Sequence, residues 1–129
     1  MEEAMSGEDK ALAFFGDSSV SLSVFETLKR YIGEFCPQAR IMIQDSLLAF
    51  RTNAGFAYVS KTAEEGTLFD LALTSRKKIN SDKISKTVQP IPGTPSYIYH
   101  IAIRDENDLD SEVRGWIRQS YEYSKLSLA

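Results

Sequence analysis

At 129 residues the chain is close to the commonest size for one domain, and a chain of this length needs no disulfide or metal to hold a core. Hydrophobic residues at 43% and charged residues at 26% give an ordinary globular balance. The formal net charge of −3 argues against a nucleic-acid binder that uses its whole surface. One cysteine, Cys36, excludes an intrachain disulfide and fits a reducing cytosol. The start, Met1 to Lys10, is acidic and polar and lacks the basic flank and apolar core of a secretion signal. No apolar run approaches the ~20 residues of a membrane helix. The expectation is a soluble cytoplasmic protein with no membrane partner.

Residues 1–10 read as a flexible tail and 11–129 as a single α+β domain. Ala11 to Gly16 reads as a short helical lead-in. Ser23 and Glu26 fit a capping box, and Val24, Phe25, Leu28, Ile32 and Phe35 recur at helical spacing. Pro37 stops this helix, which is placed near residues 21–35. Arg40–Gln44 and Leu47–Arg51 are short apolar runs split by the polar turn pair Asp45-Ser46. After the turn Asn53-Ala54-Gly55, Phe56–Lys61 is rich in aromatic and β-branched residues. Thr67–Thr74 alternates, with Phe69, Leu71 and Leu73 on one face and Leu68, Asp70 and Ala72 on the other.

Residues 75–96 break the pattern. Arg76, Lys77, Lys78, Lys83 and Lys86 are opposed only by Asp82, so this segment carries about +4 and the rest about −7. Pro90, Pro92, Gly93 and Pro95 follow, and the segment reads as a long loop with a helical turn near Ser81–Lys86. Tyr97–Arg104 returns to strand. Asp108 or Asp110 caps a last helix, with Val113, Trp116, Ile117, Ser120 and Ser124 on its inner face and Tyr121 beside it. The predicted fold class is α+β: an antiparallel sheet of about five strands with the N- and C-terminal helices packed on one face, an α-β(5)-α sandwich.

The sequence lacks a P-loop, a G-x-G-x-x-G, a G-x-S-x-G and an H-E-x-x-H. One histidine and one cysteine cannot build a zinc site of several such ligands. No catalytic motif is found, so the reading leans away from an enzyme, and no cofactor or metal is implied. The acidic stretch from Asp105 to Glu112 lacks the glycine and spacing of a calcium loop, and helix capping explains it better.

Strand alternation nominates the sheet face away from the helices as a binding surface. Arg51, Asp70 and His100 fall on it, with Ala49 and Ala72 leaving room between them; alternation leaves the third strand ambiguous, and an outward Tyr58 suits the pattern. An arginine beside small residues suits a carboxylate or phosphate, and His100 suits a pH-sensitive donor. The plain alternative is a wet sheet face with an Arg–Asp pair. The basic segment, Arg76, Lys77, Lys78, Lys83 and Lys86, is a second candidate, for weak nucleic-acid binding, with Tyr97 and Tyr99 near enough to stack on bases. A third is an enzyme using His100 as general base. The leading reading is a non-catalytic module that binds a small anionic ligand or a protein partner. The edge strand Arg40–Gln44 offers a route to a homodimer.

Several short motifs carry a family resemblance. Phe14-Phe15-Gly16, Leu48-Ala49-Phe50-Arg51, Gly55-Phe56-Ala57, His100, Asp108-Leu109-Asp110, Trp116-Ile117 and Ser120-Tyr121 fall in this order. Together they resemble a family of small uncharacterised bacterial domains sometimes labelled predicted transport proteins. More distantly, the element order is similar to the frataxin-like and YdhG-like folds, which include iron chaperones and domains assigned to DNA binding. The resemblance implies a fold and no activity. The first helix has few acidic residues, which departs from the iron-chaperone pattern.

Overall fold

The computed structural model describes residues 14–15, 19–44, 47–52, 54–62, 64–90, 93 and 96–126. The expected tail at 1–10, most of the lead-in, the turn pair Asp45-Ser46, and Pro92 and Pro95 lie outside the described residues. In chain order the elements are α1 (Ser19–Phe35), β1 (Arg40–Gln44), β2 (Leu47–Arg51), β3 (Gly55–Ser60), β4 (Phe69–Ser75), β5 (Ile84–Val88), β6 (Tyr97–Ile103), a 3-10 turn (Glu106–Asp108) and α2 (Ser111–Leu126). No helix among the described residues is long and apolar enough to cross a membrane.

The predicted α+β architecture is present, with six strands where about five were expected. The sheet runs β1-β2-β3-β4-β6-β5, all neighbours antiparallel. The added strand is β5, in the segment read as a loop with a helical turn near Ser81–Lys86. Ile84 and Val88 are half-buried and the residues between them exposed, and the run pairs with the outer side of β6. An edge strand of this kind needs only one partner and little burial, so it leaves a weak apolar signal.

The capping box expected at Ser23–Glu26 gives way to an earlier start. With α1 beginning at Ser19, Ser23 lies inside the helix, where its carbonyl accepts from the Thr27 hydroxyl at 3.4 Å. The stop before Pro37 holds: the Cys36 N–H still bonds the Ile32 carbonyl at 2.8 Å. A capping box does form at Asp105, whose side chain accepts from the Asn107 N–H at 2.7 Å while Asp108 bonds back to the Asp105 N–H. Asp110 then caps α2 by accepting from the Val113 N–H at 3.0 Å. Capping therefore accounts for three of the acidic residues between Asp105 and Glu112.

Both helices pack on one sheet face. Phe25 of α1 stacks on Phe50 of β2 with centroids 5.5 Å apart, and Leu28 and Ile32 are sealed beside it. From α2, Val113 and Ile117 reach the same core, and Tyr121 meets Phe56 edge-on at 5.2 Å. A β-bulge between Phe50 and Arg51 leaves Phe56 without a register partner. Phe56 and Ala57 are consequently both fully buried although consecutive. Cys36 is a buried free thiol in this cluster.

Candidate functional site

The sheet register fixes what the other face carries. Ala49 pairs with Tyr58, Tyr58 with Ala72, Ala72 with His100, and His100 with Lys86. These five residues form one line across five strands, on the side opposite Phe50, Leu71 and Ile101. Arg51, Asp70 and His100 are half-buried on this face, as alternation predicts, and Tyr58, on the strand that alternation left ambiguous, is half-buried beside them. Lys86, placed by sequence in the separate basic group, joins them because β5 is a strand.

Asp70 pairs with His100, whereas the plain sequence alternative paired it with arginine. Asp70 is opposite Ala102, two residues along from His100, and such a diagonal is within reach of a long side chain. The contact is 2.7 Å between His100 Nδ1 and Asp70 Oδ2. It orients the ring and leaves Nε2 as the atom available to a ligand. Tyr58 lies across Gly55: a Cβ at Gly55 would come within 2.4 Å of the Tyr58 hydroxyl. Burial pushes the Tyr58 hydroxyl above its ordinary range, and the positive charge of Arg51 opposes that shift. Arg51, Tyr58, His100 and Lys86 thus supply donors, and Asp70 an acceptor, around the small Ala72.

The side chains of the basic segment face different parts of the molecule. Lys83 bonds Asp110 and Glu112, each at 2.6 Å. These hydrogen bonds hold the Lys83 ammonium above its ordinary range and the Asp110 carboxyl below its own. Lys86 points to the outward face, Lys78 is exposed, and Arg76 lies over the Tyr123 ring at 5.6 Å. Tyr99, expected as a stacking platform for bases, is buried. Its hydroxyl donates to the Lys77 carbonyl and accepts from the Ile79 N–H at 2.7 Å, and burial is the main reason its proton is held more tightly than usual. It shapes the backbone from Lys77 to Ile79 and has no free face of the kind a base needs. Tyr97 stacks on it with centroids 6.4 Å apart.

Sequence reasoning passed over Arg118, Gln119 and Tyr123, which stand beside Arg76 and Lys77. Their spacing on the last helix was the only available signal, and it needed the position of β4 to become meaningful. Among the described residues, no group of three or more histidine, cysteine, aspartate or glutamate residues is arranged to hold a metal ion.

A family model described as a domain of unknown function, DUF5655, matches residues 13–124. Searches of curated proteins and of solved structures found no match. The motifs from Phe14 to Tyr121 that carry the resemblance all lie within the matched span, and the chain belongs to the DUF5655 family of domains of unknown function.

Proposed function

We propose that the chain is a non-catalytic binding module that holds a small anionic ligand, or an acidic segment of a protein partner, on the outward sheet face. The observation that carries this reading is the cross-strand line Tyr58, Ala72, His100 and Lys86, with Asp70 fixing the His100 ring at 2.7 Å. Arg51 anchors the anion beside Tyr58 as a bidentate donor. Sheet strands hold these groups more rigidly than a loop would, which suits recognition. The buried free Cys36 supports a reducing, cytoplasmic setting, and a bacterial source rests on the family resemblance alone. The helix–sheet–helix order supports kinship with the frataxin-like and YdhG-like folds as architecture without activity, while the transport-protein label rests on the short motifs alone.

A second reading rests on the same Asp70–His100 contact. A carboxylate that orients an imidazole is half of an acid–base device, so a reactive ligand on this face would make His100 a general base.

The test is an NMR amide-shift titration of the whole chain with succinate as the probe. Shifts are expected at Arg51, Tyr58, Asp70 and His100, and Arg51→Ala should abolish them while leaving the denaturation midpoint unchanged. Shifts centred elsewhere, or shifts indifferent to Arg51→Ala, would sink the reading.

A further inference from the structure

A different part of the molecule carries a second site. We infer that the hollow between the end of β4 and helix α2 binds the phosphoryl group of a small molecule, independently of the outward face. The hollow has a volume of about 640 Å³ and is lined by Ser75, Arg76 and Lys77 on one side and by Gly115, Arg118 and Tyr123, among others, on the other. That volume lies within the usual range for small-ligand sites.

Its charge is concentrated and available. Arg76, Lys77 and Arg118 converge from two separate elements against one carboxylate, Glu122. Glu122 is turned to Lys125 at 3.2 Å. Among the described residues, none of the three cations lies within ion-pair distance of a carboxylate. Arg76 Cζ lies over the Tyr123 ring, 5.6 Å from its centroid, a cation–π contact that uses none of the guanidinium N–H donors. Three convergent cations match a dianionic phosphate better than a single carboxylate.

The hollow is also built rigidly. Ser120, buried in the middle of α2, accepts from the Thr74 N–H at 3.0 Å, contacts the Thr74 hydroxyl at 2.9 Å and donates to the Phe56 carbonyl at 2.5 Å. These bonds lock α2 to the end of β4, so Arg118 and Tyr123 keep their place opposite Arg76. The Ser75 hydroxyl accepts from the Lys77 N–H at 3.1 Å, and the Tyr99 hydroxyl holds the next turn of backbone. Gly115 lines the floor. A glycine inside a helix costs about 0.5–1 kcal/mol relative to alanine, yet a Cβ there would meet nothing within 4 Å. Packing does not require this glycine; its effect is to keep the floor bare.

The geometry favours a small molecule over a nucleic-acid strand. A strand needs cations spread along a track, but Lys83 is engaged by Asp110 and Glu112, and Lys86 lies on the opposite face of the sheet.

The experiment is an amide-shift titration of the whole chain with pyrophosphate and, separately, adenosine monophosphate, at low and physiological salt. Saturable shifts are expected at Arg76, Lys77, Gly115, Arg118 and Gln119. Arg118→Glu should raise Kd by roughly tenfold or more, by replacing a charge-assisted donor with a repulsive charge, and Arg51→Ala should leave Kd unchanged. Gly115→Leu is the second variant. It should fold at least as well, since leucine favours helix, and should abolish binding by filling the hollow. Equal affinity for the two probes identifies the phosphoryl group alone as the feature bound; tighter binding of the nucleotide adds the organic part. Absence of saturable shifts, undiminished binding to Gly115→Leu, or duplex DNA displacing pyrophosphate with shifts spreading to Lys83 and Lys86 would each overturn the proposal.

Discussion

The two helices cover the same sheet face by different means. Helix α1 seats through Phe25, Leu28 and Ile32, and of its two buried hydroxyls, Ser21 and Thr27, the second turns back to its own helix. Helix α2 adds Ser120, which bonds two different strands, β3 and β4. Apolar burial is non-directional and fixes a helix only loosely along its axis. Hydrogen bonds from a buried hydroxyl fix axial position as well, because a slip of one residue would leave their partners unsatisfied. The helix that carries Arg118 and Tyr123 therefore has its register pinned by Ser120.

The strongest way to test that contrast is to remove each helix's main contact. Phe25→Ala empties a fully buried ring site against Phe50 and is expected to cost about 3–5 kcal/mol in denaturant unfolding. Ser120→Ala removes almost no volume but strips partners from the Thr74 N–H and the Phe56 carbonyl. Its expected cost is about 1–3 kcal/mol, with amide shifts spreading along residues 118–123, an effect Phe25→Ala should not produce. A cost below that of an ordinary exposed serine would break the contrast.

The smallest effect is expected at the start of α2, where Lys83 clamps Asp110 and Glu112. Asp110 titrates below its ordinary range, so its contribution is complete above that range and is lost as pH falls through the depressed value. Lys83 titrates above its ordinary range, so its contribution is complete below that range and is lost as pH rises through the raised value. Lys83→Met should flatten both limbs of the stability–pH curve and leave neutral pH little changed, since the pair is exposed. Thermal melts across the pH range measure this; unchanged limbs would show that the clamp is not felt.

Alternation by two was enough to place Arg51, Asp70 and His100 on one face, because β2, β4 and β6 run without interruption at those residues. It faltered on β3, where the bulge opposite Phe50 and Arg51 puts Phe56 and Ala57 both inside. The Asp70–His100 contact depends on β6 inserting between β4 and β5, a long-range pairing that no local pattern announces. Strand β5 stayed hidden because Ser85, Lys86 and Thr87 are exposed and follow a basic stretch. The partners that hold the Tyr99 hydroxyl, Lys77 and Ile79, are also beyond the reach of a local pattern, 22 and 20 residues away.

The strand order also bears on how the chain reaches this structure. From β1 to β4 every strand pairs with the one just before it, and the only exchange is β6 taking the place beside β4 ahead of β5. Such closures span short stretches of chain, which favours rapid formation. The contacts that reach α2 from the first part of the chain are the distant ones: Glu34 of α1 to Arg114 spans 80 residues, and Gln38, just after α1, to Tyr121 spans 83. Closing those loops is repaid only after the sheet offers an apolar face to close upon. The expected sequence of events puts the hairpins first and brings the two ends of the chain together over them last.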